Sequence, residues 1–568
     1  MHLHHALSIV AAGLIGQTSA VYNTSSELPL NGWHACSAYT FAGEGQEEYR
    51  AQCLTVGVPL CYTDVCKLLP NVYPTINVFV KMLPATGANA DHATNVWMFA
   101  SGASNEAEAS MVTLHKRLNG SVNMLTMDLR GTGRSSRLDC VSSQAMTSGS
   151  PSGANIDLTE VAACARELQN KYGDLASFSV TSAAMDVFTL LPKLAHGASN
   201  IMYGSSHIAT LMIQRLMQMN PSGVTGYVLD SPAASVVPLD KKTYWVKGDV
   251  EFNEVSEHFL ELCSEYTECS SHFKTATLPA TLRDVMSKFD KDPNSTCATL
   301  VRNFTEDEPS SGLRRTLGGL ARGPPMRSAI PPAIYRLNRC EPSDVEILTH
   351  FFTIITQDGG IADDALISNL FYQMNIFSEM SPNPMPTYAE LEAQHKNLSI
   401  SYLGMYDSIP LYCAYTKDPS PVCKEYTFGN YEANPIAYSK DHFWNEAAVV
   451  SSEASVLLLS GKLDVQAHHK YSEYIYEALE TSKKELVVFD FSGHVTLDDT
   501  AFGESETSCA MELLASFVSC NGDLARLDKS CMAKMPAFDM TVPAHIAENC
   551  FGITDVYDGT VTTSGTPA

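Results

Sequence analysis

Ile201-Met202-Tyr203-Gly204-Ser205-Ser206-His207 runs without a break into Ile208-Ala209-Thr210-Leu211-Met212-Ile213-Gln214-Arg215-Leu216. The first run is apolar and strand-like. The second repeats its apolar residues at helical spacing. A strand that turns sharply at Gly-x-Ser into a helix presents the serine hydroxyl beyond the strand end. The helix N-terminus then aims free backbone N–H groups at that hydroxyl, where they can stabilise a negative charge. Gly204 gives the room for the turn, and its place two residues earlier selects Ser206 over Ser205 as the presented hydroxyl. Ile208 stands where a second glycine usually completes the motif.

Outward from this elbow, short apolar runs at 76–80, 96–100, 122–127, 224–229, 456–459 and 486–491 read as strands. Helical patterns at 106–118, 159–171, 181–194 and 468–479 alternate with them. That alternation predicts an α/β chain, with a mostly parallel sheet and helices on both faces. It stops near Pro232. The following two hundred residues are helical and proline-rich, and alternation resumes at 456. A large, mainly helical cap interrupting the sheet is the expectation. The expected divisions are a signal peptide at 1–20, a cysteine-rich, loop-like segment at 21–74, core at 75–234, cap at 235–445, core at 446–535 and a tail at 536–568. The tail beyond Phe551 is rich in Gly, Thr and Ser and reads as mobile.

The chain has 568 residues, 45% apolar and 18% charged, enough for one large core and a substantial insertion. Its net charge of −26 disfavours nucleic acid as a partner and would repel anionic membranes. Residues 7–15 are apolar but too short to span a bilayer, and Thr18-Ser19-Ala20 offers small residues for cleavage. A secreted, extracellular protein without membrane insertion is expected. Sixteen cysteines and Asn-x-Ser/Thr sequons at Asn23, Asn119, Asn294, Asn303 and Asn397 agree with that compartment. Cys61/Cys66, Cys263/Cys269, Cys413/Cys423 and Cys520/Cys531 are close enough in sequence to bridge locally. Histidines at ligand spacing are absent beside these cysteines, so disulfides rather than zinc are expected. No cofactor and no metal is called for.

A serine hydroxyl needs a base within reach and an acid that orients the base. On such a sheet these groups gather beyond the carboxyl ends of strands. Asp464 follows the strand-like run 456–459 through Ser460-Gly461-Lys462-Leu463. His494 follows the run 486–491 through Ser492-Gly493. Serine, acid, histidine is the chain order that an elbow serine requires. Glycines 131 and 133 after a strand could instead suggest phosphate binding, but Ser136 replaces the third glycine and the lysine of a phosphate loop is absent.

With these residues in view, the sequence resembles the secreted α/β-hydrolase serine peptidases related to proline iminopeptidase and tripeptidyl aminopeptidase. Asp128-Leu129-Arg130-Gly131-Thr132-Gly133-Arg134-Ser135 matches the family's D-x-R-G-x-G-x-S, its most specific block. Tyr203-Gly204-Ser205-Ser206, Gly226-Tyr227-Val228-Leu229-Asp230, Leu459-Ser460-Gly461-Lys462-Leu463-Asp464 and Gly493-His494 match further segments. The likeness spans roughly residues 75–270 and 445–535. It implies the α/β-hydrolase fold, with Ser206 as nucleophile, Asp464 as orienting acid and His494 as base. It also implies a cap that restricts substrates to peptides with a free N-terminus, and a Cys140–Cys164 bridge. The family's oxyanion segment, H/Q-G-G-P-G, is here Ala100-Ser101-Gly102-Ala103-Ser104. The backbone of Gly102 and that of His207 are the expected oxyanion donors. The resulting expectation is a serine exopeptidase of aminopeptidase type, acting through an acyl-enzyme. An esterase or lipase on the same fold, or a secreted pseudoenzyme that binds a partner through its cap, are the alternatives.

Overall fold

The chain builds one sheet from β1 (His34–Ser37), β2 (Arg50–Pro59), β3 (Thr75–Leu83), β4 (Asn95–Phe99), β5 (Asn123–Asp128), β6 (Asn200–Ser205), β7 (Val224–Asp230), β8 (Ser455–Gly461) and β9 (Lys484–Phe489). The computed structural model describes residues 32–43, 46, 49–86, 90–194, 199–356, 366–500 and 507–560. The expected signal segment and Asn23 lie outside these residues.

Across the sheet the order is β1-β2-β3-β5-β4-β6-β7-β8-β9. The first three strands and the β3/β5 pair are antiparallel, and every pair from β5 through β4 to β9 is parallel. With helices on both faces and a helical insertion after β7, this is the α/β-hydrolase fold. Alternate residues feed the two faces. Trp97 and Phe99 join one apolar core, while Val96 and Met98 join the other with the helices Asn105–Arg117 and Cys509–Ser519.

Three sequence expectations are corrected by the structure: the loop-like start, the mobile tail and, below, one cysteine pairing. The segment 21–74, expected to be loop-like, contains β1 and β2. Ala51, Cys53, Val56 and Val58 of β2 are buried, a strand signal masked by the density of cysteines. Cys36–Cys53 ties the two strands together. The tail beyond Phe551 is also not loose as far as residue 560. Val556 and Tyr557 are buried, and Tyr557 stacks on His272 at 3.7 Å. Arg336 donates to the carbonyls of Val556 and Gly559, and Arg339 to that of Tyr557. Tertiary packing overrides the flexible composition.

The insertion between β7 and β8 has two parts. The helices Gly248–Leu262, Leu278–Lys291, Thr296–Thr305, Pro309–Ala321, Ile330–Arg339 and Pro342–Ile355 close around a core of their own, which also takes in Cys550 and Phe551. The helices Asn369–Glu379 and Ile409–Thr416 instead share the core of one sheet face, with Phe371 and Tyr415 in the cluster of Trp97 and Leu229.

Seven disulfides form, among them Cys61–Cys66, Cys263–Cys269, Cys413–Cys423 and Cys140–Cys164. Cys531 does not pair with Cys520 but with Cys509. Those two cysteines flank the helix Cys509–Ser519, whose ends lie about 16 Å apart, and the returning chain meets its N-terminal end. Cys520 and Cys550 carry free thiols. No helix among the described residues is long and apolar enough to cross a membrane.

Candidate active site

Every sequence-selected group sits beyond the carboxyl end of a parallel strand. The Gly102 loop follows β4, Ser206 follows β6, Asp464 follows β8 and His494 follows β9. In such sheets this edge is where ligands bind.

At the elbow, Ser206 adopts φ +64°, a left-handed conformation that a non-glycine residue holds at a cost of about 1–3 kcal/mol. The turn can be this tight because Gly204 lies against the following helix: a Cβ there would come 3.2 Å from the Ala209 carbonyl oxygen and 2.7 Å from the Ile213 side chain. Ile208 points into the core, wholly buried, so the missing second glycine is accommodated without opening the elbow.

His494 Nε2 lies 3.0 Å from Ser206 Oγ, and His494 Nδ1 lies 2.9 and 3.1 Å from the two carboxylate oxygens of Asp464. Asp464 is fully buried, and its Oδ1 accepts the backbone N–H groups of Gln466 and Ala467, each at 2.8 Å. The acid and histidine loops touch only because position 461 is glycine: a Cβ there would fall 2.1 Å from the Ser492 carbonyl oxygen. Burial opposes a charge on His494, but the adjacent Asp464 carboxylate outweighs it and raises the imidazole above its ordinary pKa. Burial alone would push Asp464 up. Its charge contact and hydrogen bond with His494 instead hold it below the usual carboxylate range. Serine, histidine and carboxylate thus form one hydrogen-bonded chain able to move a proton from Oγ to Nε2 and keep the resulting imidazolium in place.

No family model matches this chain, and no curated protein matches it. Solved structures align at low identity. A proline iminopeptidase from Mycobacterium smegmatis is 11% identical over 79% of this chain and 97% of its own, with a TM-score of 0.34. A monoacylglycerol lipase from Paleococcus ferrophilus is 14% identical over 78% and 99%, with a TM-score of 0.30. An esterase from Exiguobacterium antarcticum is 12% identical over 74% and 89%, with a TM-score of 0.28. Scores this low carry no weight for reaction or substrate; the fold stands on strand order and direction.

The D-x-R-G-x-G-x-S block is a brace for the site. Asp128, fully buried, accepts the Ser104 N–H at 2.7 Å, which holds the loop after β4, and the Arg134 N–H at 2.7 Å. Arg130 pairs with Asp186 at 2.5 Å, both fully buried, and also donates to the Leu60 and Ser177 carbonyls. The loop's own N–H groups are committed inside the protein: Gly131 to Ser136, Thr132 to Leu129 and Gly133 to Leu366. None is left to cradle a phosphate.

The oxyanion side departs from expectation in one respect. Ser101, in a family glycine position, pins its loop to the elbow: its Oγ accepts the Ala209 N–H and donates to the Ser205 carbonyl, both at 3.3 Å. The Gly102 N–H, the expected donor, is directed to Glu106 Oε2 at 3.3 Å. Burial, partly offset by that Gly102 bond, raises the Glu106 carboxyl above its ordinary pKa. The other expected donor, the His207 N–H, lies in the first turn of the helix Ser206–Met219 and has no intrahelical acceptor. The His207 ring lies 6.2 Å from that of His494. Burial, helped by its neighbour His494, pushes His207 down to about 4, so it stays neutral at ordinary pH.

Sequence reasoning missed several neighbours. Asp230, at the end of β7, accepts the Thr496 and Leu497 N–H groups and the Tyr203 hydroxyl. Arg327 of the cap is 4% exposed and packs over Gly493, where a Cβ would lie 2.8 Å from its Nη2. Arg322 Nη2 donates to the Gln466 side chain at 3.3 Å. Asp230 does end a strand, a signal the sequence carried. The two arginines sit in a proline-rich cap segment with no local signature.

Proposed function

We propose that this chain is a serine hydrolase in which Ser206 attacks an acyl carbon and His494 takes its proton. Asp464 holds His494 in the tautomer that can accept it. The acyl group passes to Ser206, the leaving group takes the proton back from Nε2, and water activated by His494 then releases the acid. The hydrogen-bonded chain Ser206–His494–Asp464, with the nucleophile in a left-handed turn, carries this reading.

Within that chemistry, an exopeptidase acting on peptides with a free N-terminus is the preferred activity, supported by the sequence resemblance and by a helical cap over the strand ends. Ester hydrolysis is the alternative, since the same three groups serve both bonds. Secretion and glycosylation are part of the proposal. Seven disulfides favour an oxidising compartment, and the sequon side chains of Asn119, Asn294, Asn303 and Asn397 are all exposed.

The test is labelling of the purified protein with a fluorophosphonate, read by intact mass beside Ser206→Ala. A single adduct on the wild type and none on the variant is expected. An unlabelled, folded wild type would overturn the proposal and favour the partner-binding pseudoenzyme.

A further inference from the structure

The sheet order gives the candidate site two sides. The loop after β4, with Gly102, flanks the elbow on one side, while the acid and histidine loops after β8 and β9 lie on the other. The acyl oxygen must face the His207 N–H and the loop that carries Gly102, whose own N–H is held by Glu106. The leaving group must face His494, which returns its proton. Cap side chains that project over the β8 and β9 loops therefore stand on the leaving-group side of the elbow.

Arg322 is placed there. It follows the helix Pro309–Ala321, and its Nη2 donates to the side chain of Gln466, whose own N–H holds Asp464. Its guanidinium lies over the ring of Tyr402, 5.0 Å from the centroid. Tyr402 can support it because residues 401 and 402 lie tight on that helix: a Cβ at Gly318 would fall 2.5 Å from the Tyr402 nitrogen. Among the described residues no carboxylate comes within ion-pair distance of Arg322, in a chain with 63 acidic and 37 basic residues. A guanidinium has five N–H donors in a fixed fork, and a single side-chain hydrogen bond occupies one. Its positive charge also reaches His494, where it works against protonation.

We propose that Arg322 is a specificity-determining anchor for a carboxylate carried by the leaving group of the substrate. Gln466 and Tyr402 orient the guanidinium, and the substrate carboxylate supplies the partner that the protein itself does not. The carboxylate can be the C-terminal α-carboxylate of a short peptide or an acidic side chain just beyond the cleaved bond. This proposal rests on the serine hydrolase reading above for its catalytic consequence, but not for the binding itself.

The experiment therefore has a binding arm and a turnover arm. In the first, Ser206→Ala protein is titrated calorimetrically with 3-hydroxybenzoate and with 3-hydroxybenzamide, a leaving group with and without the charge. The benzoate should bind about tenfold or more tightly, and adding Arg322→Gln should erase the difference. In the second, the active protein hydrolyses 3-acetoxybenzoate and 3-acetoxybenzamide. The acid should show the lower KM, lost in Arg322→Gln with the amide unaffected, and partly kept in Arg322→Lys. Gly-Ala against Gly-Ala-amide and Gly-Asp-amide tells the α-carboxylate from an acidic side chain. Equal binding of acid and amide, or a preference that survives Arg322→Gln, overturns the proposal. Absence of turnover and of fluorophosphonate labelling would sink the hydrolase reading alone, because the calorimetric comparison still decides the anchor.

Discussion

Asp230 never touches His494, yet its carboxylate accepts the backbone N–H of Thr496 at 2.9 Å, two residues beyond that histidine. With the Leu497 N–H at 3.3 Å on the other oxygen, the end of β7 holds the turn that carries the base. Removing this hold should displace His494 rather than Ser206. Asp230→Ala is expected to lower kcat by about a hundredfold with little change in KM, since a 1 Å error in such a group costs about that much. A matched loss of KM, or full activity, would deny Asp230 this positioning role.

The rate should depend on pH through His494. Only neutral imidazole can take the serine proton, so activity rises with pH through the His494 pKa. That limb is expected above 6.5, the ordinary histidine value, because Asp464 raises it. Asp464→Asn should move the limb down and lower kcat by about 10^3–10^4-fold. His207, depressed to about 4, should add no step near neutrality. The pH profile of fluorophosphonate labelling separates these groups without assuming a substrate.

The stability contributions run in opposite directions. Burial raises Asp230 to about 6, above an unfolded value of about 3.9, so its contribution is full below pH 4 and is lost as pH rises through 6. Asp464 is depressed, so its contribution is present above the unfolded value and is lost as pH falls through its folded one. Melting curves between pH 2 and 8 should therefore show Asp230→Asn departing from the wild-type pH dependence between about pH 4 and 6, and Asp464→Asn departing from it only below about pH 4. Parallel curves would contradict both assignments.

Glu106 occupies the N–H that the oxyanion would need. Glu106→Ala is expected to raise kcat severalfold, and at most by the roughly 10²-fold or more that one oxyanion donor is worth. Gly102→Ala should do the reverse, since its Cβ would fall 2.2 Å from Glu106 Oε1. A slower Glu106→Ala enzyme would mean that this carboxylate helps the reaction.

Alkylation of the unreduced, unfolded protein should add two groups, on Cys520 and Cys550. Cys531→Ala should destabilise the protein by about 2–4 kcal/mol, and Cys520→Ser should leave its melting temperature unchanged. A label on Cys509 would refute the Cys509–Cys531 pair.

The sequence was legible where the relevant signal is local. Gly204, Ser206, Asp464 and His494 each sit within a few residues of an apolar strand, so strand ends, chain order and turn chemistry were enough to select them. It was not legible where the partner is distant. Nothing near Arg322 announces Gln466, 144 residues on, and nothing near Glu106 announces that its carboxylate folds back over Gly102. The cysteines of 36–66 hid the alternation of β2, and the small polar residues of the tail hid its apolar anchors Val556 and Tyr557. Such contacts are set by which surfaces meet, and single-sequence periodicity carries no record of that.

The docking of residues 550–559 on Arg336, Arg339 and the core around Phe351 has a consequence for how the protein is made. Synthesis delivers the cap's helices some two hundred residues before the segment that completes their core. A nascent chain can pair its early strands, but the cap keeps an open apolar seam until residues 550–559 have been made and have docked. The core of these helices is thus complete only once that segment has docked, and a product ended at residue 540 should display that seam to chaperones and proteases.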